Sequence, residues 1–261
     1  MQQDARHTHP GRHRRAGYTL GMSQIVTFDV FSALTNSRVG GSKFLHTVVE
    51  ANGWPVSGEQ VYDRWDALNK ERHRTVDPWI PFADISVLAL QSALSELGLP
   101  LKNAPEISRS LLESMAEWPL WADVTAESLT ELGPSYGLGL LSNIDNALLA
   151  ETAAMRLGVF DPEHVVTSQR ARAYKPTAAL YRRAGELLGP FIHVASSARD
   201  VKGALGAGIA CVRLARPGHV LDPTGPTPEL TATSVDELPP LLARAAERRP
   251  STEQRPSTEQ N

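Results

Sequence analysis

The sequence predicts an α/β fold: a parallel sheet flanked by helices, with a helical cap domain inserted after the first strand. Three observations support this prediction. Short apolar, partly β-branched runs recur along the chain and are typical of strands buried on both faces. Polar side chains follow several of these runs. Residues 43–132, which separate the first run from the others, show helical periodicity and no strand pattern.

Composition indicates an ordinary globular protein of one or two domains, with 261 residues, 41% of them hydrophobic and 21% charged. A formal net charge of -3 gives no electrostatic footprint for nucleic acid. Neither a membrane span nor the apolar region of a secretory signal is apparent, and the single cysteine, Cys211, excludes an internal disulfide. We therefore expect a cytoplasmic protein with a small-molecule substrate and neither nucleic acid nor membrane as a partner; a homodimer is left open.

The first strand, residues 25–28, ends directly before Asp29. Ligands of open α/β sheets bind beyond the carboxyl ends of the strands, so Asp29 is the first candidate for chemistry. The alternative is that Asp29 only caps the following turn. Residues 35–42 are polar and contain two glycines, which predicts a hinge rather than a helix.

The rest of the chain alternates between helices and short strands, as expected for a parallel sheet. The predicted helices are 124–132, 147–157, 177–188 and 235–246, and the predicted strands are 138–141, 164–166, 191–195, 211–214 and 230–232. The predicted domains are a disordered arm at 1–21, a core at 22–40 and 124–247, a helical cap at 41–123 and a disordered tail at 248–261.

Four polar sites follow the predicted strands or precede helices, and they converge if the sheet is parallel. They are Asp29, Ser142 with Asn143, Lys175, and the loop from Ser196 to Asp200. Their order, together with the helical insert after the first of them, resembles the haloacid dehalogenase superfamily of hydrolases. The resemblance covers roughly residues 24–245 and implies a Rossmann-like core with its site facing the cap.

Two positions separate this chain from the phosphatase branch of that superfamily. Phe31 stands where the phosphatases have a second Asp as general acid and base, and Ser196 stands where they have the Asp that binds magnesium. Because Mg²⁺ binding usually needs at least one or two carboxylates, we expect no required metal and no cofactor. Phe31, the loop at 195–200 and Tyr181, six residues after Lys175, are instead similar to the 2-haloacid dehalogenase branch.

The resemblance implies a role for each candidate residue. Asp29 would displace halide from carbon and form an ester that water later opens, and the ammonium of Lys175 would favour the ionised carboxylate. Asp200 would anchor Lys175 or orient the hydrolytic water, or serve only as a helix cap. Ser142 and Asn143 could bind the substrate carboxylate or the developing charge, or form only a turn. The further candidates for substrate binding are Phe31, Tyr181, Ser197 and Arg64.

Three departures from the dehalogenase pattern keep other functions open. Ser32 and Ala33 replace a glycine and a hydroxyl residue, and the loop has Ala195 and Ser197 where dehalogenases have Ser and Asn. In the cap, Trp65 is followed by Asp66 instead of the arginine that accepts halide, so Arg64 or Arg72 would have to replace it. The leading hypothesis is metal-independent hydrolytic dehalogenation of a small 2-haloacid. The alternatives are a phosphatase or phosphonate hydrolase, and a catalytically weakened binding protein of the same fold.

Overall fold

The computed structural model describes residues 24–247 and confirms the predicted α/β fold with a parallel sheet. The predicted disorder at 1–21 and 248–261 lies outside the described residues. All neighbouring strands pair in parallel, in the order β3-β2-β1-β4-β5-β6. The strands are β1 (Gln24–Phe28), β2 (Tyr136–Ser142), β3 (Val165–Thr167), β4 (Phe191–Ala195), β5 (Ala210–Leu214) and β6 (Thr231–Ala232). Strand β1 therefore lies inside the sheet, between β2 and β4.

Helices cover the sheet and fill the interval between β1 and β2. Of the helices between those two strands, we call α1 (Ser37–Asn52), α2 (Gly58–Thr75), α3 (Phe82–Glu96) and α4 (Ala104–Glu113) the cap. The other helices, which with the sheet form the core, are α5 (Ala126–Thr130), which still precedes β2, and α6 (Asn146–Ala150), α7 (Ala153–Arg156), α8 (Ser168–Ala171), α9 (Ala178–Leu188), α10 (Ala198–Gly206) and α11 (Leu238–Glu247). Within the described residues, none of these helices has the length and apolar character needed to cross a membrane.

The predicted hinge at residues 35–42 is wrong from Ser37 onwards, because helix α1 begins there. Gly40 and Gly41 are buried helical residues that let aromatic rings lie directly on the helix backbone. A Cβ atom at Gly40 would collide with the Trp118 ring, and one at Gly41 would collide with the Tyr62 ring. These glycines serve close packing rather than flexibility, and the predicted cap boundary at residue 41 falls within α1.

Core side chains hold the cap at its α3 end. Asp145 accepts hydrogen bonds from the backbone N–H groups of Phe82 and Ala83, both at 3.0 Å. Its carboxylate thus satisfies the N-terminus of α3 instead of capping α6, the helix that follows it. The Tyr174 hydroxyl donates to the Ile80 carbonyl at 2.8 Å. The cap is therefore tied to the strand-end loops that carry the candidate site.

Candidate active site

Asp29 lies immediately beyond β1 and is almost completely buried. Its backbone N–H donates to the Val194 carbonyl at 3.0 Å, which continues the pairing of β1 with β4. The chain then makes one turn of π-helix, Val30–Leu34, with Asp29 at its N-cap. Ser32 donates to Asp29 Oδ2 from its backbone N at 2.9 Å and from Oγ at 2.5 Å. Ser32 therefore supplies a hydroxyl contact to the candidate nucleophile, and Asp29 also caps the turn.

Lys175 joins the two candidate carboxylates. Its Nζ donates to Asp29 Oδ1 at 2.7 Å, to Asp200 Oδ2 at 2.6 Å and to the Leu141 carbonyl at 2.8 Å. Burial opposes the charged ammonium, but the charges of Asp200 and Asp29 outweigh it and raise the pKa of Lys175. The structure thus brings together the three residues predicted to be catalytic.

Asp200 is held by hydrogen bonds on both carboxylate oxygens. The Tyr181 hydroxyl donates to Oδ1 at 2.6 Å, while Lys175 Nζ and His193 Nε2 lie 2.6 and 3.1 Å from Oδ2. Burial opposes ionisation of this carboxyl, but Lys175 and His193 outweigh burial and hold its pKa well below the usual range. A carboxylate that already accepts hydrogen bonds on both oxygens and has a low pKa is a poor base, so this geometry favours anchoring of Lys175 over activation of water.

Asn143 fixes the loop that carries Lys175. Its Oδ1 accepts from the Lys175 backbone N at 2.7 Å, and its Nδ2 donates to the Lys175 carbonyl at 2.9 Å and to His73 Nδ1 at 3.3 Å. Neighbouring Ser142 is fully buried at the end of β2, and its Oγ has no hydrogen-bond partner among residues 24–247. Asn143 lines the cavity between core and cap, whereas Ser142 does not.

That cavity, about 750 Å³ including open solvent at its mouth, contains the Asp29–Lys175–Asp200 cluster. The aromatic part of its wall is made by Phe31, Tyr62, Trp65, Phe82 and Trp118. Phe31 stacks on Phe82 with 6.0 Å between ring centroids. The cavity therefore combines a few polar groups with a largely apolar wall, as is common in small-molecule sites.

Three predicted substrate-binding residues lie on or outside the edge of this arrangement. Ser197 lines the cavity and also caps α10, where its Oγ accepts from the Asp200 backbone N. Tyr181 does not line the cavity, because its hydroxyl is directed to Asp200. The prediction that Arg64 binds substrate is wrong, because Arg64 lies on the exposed side of α2, pairs with Glu96 and does not reach the cavity. Arg72 lies away as well, donating to Ser92.

Sequence reasoning missed the cap residues that do line the cavity. Asp66, Asn69, Lys70 and His73 follow Trp65 on one face of α2, since residues three and four apart on a helix share a face. Asn69 and His73 are buried although polar. The sequence does carry a signal for these two residues: they follow Trp65 by four and eight positions. This spacing places both polar residues in the apolar stripe of the helix.

The residues present do not fit the magnesium site of the phosphatase branch. The Ser196 hydroxyl is fully buried and donates to the Leu214 carbonyl at 2.5 Å, so it faces the sheet. Asp29 and Asp200 are already bridged by the Lys175 ammonium. A cation held between two carboxylates occupies the place of a metal ion and repels one, so we derive no step through magnesium.

Solved structures similar to this chain share one fold. An L-2-haloacid dehalogenase from Xanthobacter autotrophicus, solved with chloropropionic acid covalently bound, is 21% identical with a TM-score of 0.70; the match covers 85% of this chain and 99% of that one. A defluorinating L-2-haloacid dehalogenase is 24% identical with a TM-score of 0.70 over 86% of this chain and 94% of that one. Another L-2-haloacid dehalogenase is 25% identical with a TM-score of 0.65 over 84% and 98%. No protein-family model matches the sequence, and neither does any curated protein.

The parallel sheet, the inserted cap and these similarities together define the haloacid dehalogenase fold. Within that fold, all three of these enzymes are L-2-haloacid dehalogenases, which confirms the resemblance inferred from the strand-end residues.

Proposed function

We propose that this protein is a hydrolase that opens the carbon–halogen bond of a small 2-haloacid through an ester on Asp29. The observation that carries the proposal is the buried Asp29–Lys175–Asp200 cluster beside an aromatic-lined cavity. The covalently bound chloropropionic acid in the Xanthobacter autotrophicus enzyme supports it by analogy of fold.

In the first step, a carboxylate oxygen of Asp29 attacks the halogen-bearing carbon from the side opposite the halogen. The new C–O bond forms as the carbon–halogen bond breaks, and halide leaves with the bonding electrons. Lys175 and Ser32 hold the carboxylate in place through Oδ1 and Oδ2 respectively. Orientation by fixed hydrogen bonds lowers the entropy loss of the attack.

In the second step, water attacks the carbonyl carbon of the Asp29 ester. The ester C–O bond on the enzyme side breaks, the 2-hydroxyacid leaves, and the Asp29 carboxylate is restored. One proton and one halide ion are released overall for each water consumed. Asp200 remains ionised beside Lys175 throughout, as a positioning residue that keeps the ammonium at the site of changing charge.

A single turnover in ¹⁸O-labelled water tests this chemistry. Enzyme in excess over 2-chloropropionate is expected to release chloride and to gain one ¹⁸O atom in the peptide that contains Asp29, because water attacks the enzyme carbonyl. Asp29→Asn serves as the inactive comparison, and Asp63→Asn on the exposed face of α2 serves as the matched control. Label found only in the product alcohol would mean direct attack of water on carbon and would overturn the proposal.

The same preparations separate the two alternatives. A phosphatase would hydrolyse p-nitrophenyl phosphate in a magnesium-dependent manner and release no halide. A binding protein of this fold would bind short 2-haloacids with saturation while showing neither chloride release nor an adduct on Asp29.

A further inference from the structure

One guanidinium on the cavity wall has no counterion among residues 24–247. The charged residues that line the cavity are Asp29, Asp66, Lys70, Lys175, Arg199 and Asp200. Lys175 pairs with Asp29 and Asp200, and Lys70 pairs with Asp66. Arg199 forms no salt bridge with any residue in the described part of the chain, so its charge is left for a ligand to balance.

The hydrogen bonding of Arg199 is equally incomplete. Nη2 donates to the Lys70 carbonyl at 2.7 Å, and Nε has no partner within the described residues. A guanidinium carries five N–H donors, so most of its capacity is unused in this part of the chain. Burial, followed by the nearby charge of Arg74, lowers the pKa of Arg199, although the charges of Asp66, Glu71 and Asp200 oppose this shift in part.

The position of Arg199 suits an anion approaching Asp29. It lies in the first turn of α10, next to Ser197 and Asp200, where the helix dipole also favours negative charge. The Asp29–Lys175–Asp200 cluster, with two carboxylates and one ammonium, carries a net negative formal charge that repels an anionic substrate. A cation on the same wall offsets that repulsion and fixes which end of the substrate faces away from the nucleophile.

We propose that Arg199 binds the carboxylate of the substrate and selects for acids over neutral analogues. This inference deepens the proposed function and rests on it for the identity of the substrate. The planar fork of a guanidinium matches a carboxylate, which accounts for an arginine at this point of the wall. The competing explanation is that Arg199 only ties α10 to α2 through the Lys70 carbonyl.

Calorimetric binding of propionate and of its neutral isostere propionamide to the full chain separates the two explanations. Arg199→Gln keeps a neutral donor near Lys70 but removes the charge, and is expected to weaken propionate binding about tenfold to a hundredfold with propionamide binding unchanged. Arg199→Lys is expected to recover part of the propionate affinity because it keeps the charge without the fork. Arg183→Gln, whose arginine pairs with Glu186 on the exposed side of α9 and outside the cavity, is the matched control for loss of one positive charge and is expected to bind both ligands as wild type does.

Three outcomes would overturn the inference: unchanged propionate binding in Arg199→Gln, an equal loss for propionate and propionamide, or no propionate binding by the wild type. Thermal unfolding of each variant shows whether it folds. If Arg199→Gln does not fold, the test is whether Arg199→Lys binds propionate more weakly than wild type with propionamide binding unchanged. Halide release is measured separately. Arg199-dependent propionate binding without halide release would support the anion site and contradict the dehalogenase proposal.

Discussion

Two parts of the cavity lining, the Asp29–Lys175–Asp200 cluster (the core wall) and the side chains of α2 (the cap wall), differ in how completely their polar groups are paired. On the core wall, every charged oxygen and nitrogen of Asp29, Lys175 and Asp200 has a partner. On the cap wall, Asn69 Oδ1 and His73 Nε2 are buried and have no hydrogen-bond partner among the described residues. A fully paired network is rigid and suited to chemistry that needs fixed geometry, whereas unpaired groups are suited to recognition of a ligand. The core wall is therefore suited to the reaction, whereas the cap wall, together with Arg199 at the start of α10, is suited to selecting the ligand.

Removing Lys175 is the strongest way to test this account of the core wall. Lys175→Met leaves two buried carboxylates without their cation, and the free energy of unfolding is expected to fall by about 3–5 kcal/mol. Halide release is expected to fall by at least about 10³-fold, since the nucleophile loses its orienting donor. Urea unfolding and chloride release measure the two effects.

A second substitution separates the two effects of losing Lys175. Adding Asp200→Asn to Lys175→Met removes one of the stranded charges, so stability is expected to recover in part while halide release does not. Recovery of both would show that the cluster acts only through folding.

The burial of His73 on the cap wall gives a pH dependence of stability. Burial, then the charges of Arg199 and Lys70, lower the pKa of His73 to about 3, whereas an unfolded histidine titrates near pH ~6.5. Below about pH 6.5 the unfolded chain binds a proton that the folded chain does not, so this stabilisation is present above that pH and lost as pH falls toward about 3. The slope from this residue approaches about 1.4 kcal/mol per pH unit.

His73→Gln isolates that contribution from those of other groups. The unfolding free energy of the variant, measured in urea from about pH 7 down to about pH 4.5, is expected to fall less steeply than that of the wild type. Equal slopes for the two proteins would show that His73 does not stay neutral in the folded state.

Gly40→Ala in α1 tests the packing of α1 against Trp118, which lines the cavity. The new methyl group collides with Trp118, a cavity residue, and is expected to destabilise the protein by about 1–3 kcal/mol and to raise the KM for substrate. Gly185→Ala in α9 is the matched control, because no atom lies within 4 Å of its added Cβ. Helix propensity predicts that the control is stabilised by up to about 1 kcal/mol. A similar effect of both substitutions on KM would contradict the packing role of Gly40.

The smallest effect is expected at Arg64, which the structure places away from the cap wall. Arg64→Gln removes an exposed pair with Glu96, so halide release and the melting temperature are expected to match the wild type, with kcat/KM within about twofold. A large loss of kcat/KM would show that Arg64 acts at the site, which would require a different position of α2.

Sequence reasoning located the core wall well because strand ends are easy to find. A buried apolar run followed by a polar residue indicates both a strand and its carboxyl end, and parallel pairing brings such ends together. Asp29, Lys175 and Asp200 were therefore predictable as a group without knowledge of their distances. The roles were less accessible: Tyr181 and Ser142 were predicted to bind substrate, but neither lines the cavity.

The cap wall was harder to predict for a geometric reason. On a helix, one residue is a rotation of about 100°, so choosing Arg64 instead of Asn69 or His73 moves the side chain to another face. The two glycines of α1 were misread similarly, since local sequence does not show that Trp118 and Tyr62 pack against them.

The sequence by itself determined the α/β class, the insertion of helices after β1 and the identity of the charged cluster, because hydrophobic periodicity and strand-end polarity are local properties. Only the tertiary structure decided that both oxygens of Asp200 are occupied, that Arg199 is without a counterion among residues 24–247 and that α2 presents His73 rather than Arg64 to the cavity. Those features depend on how distant segments pack, and the pairing of a charge is a property of its neighbours in space.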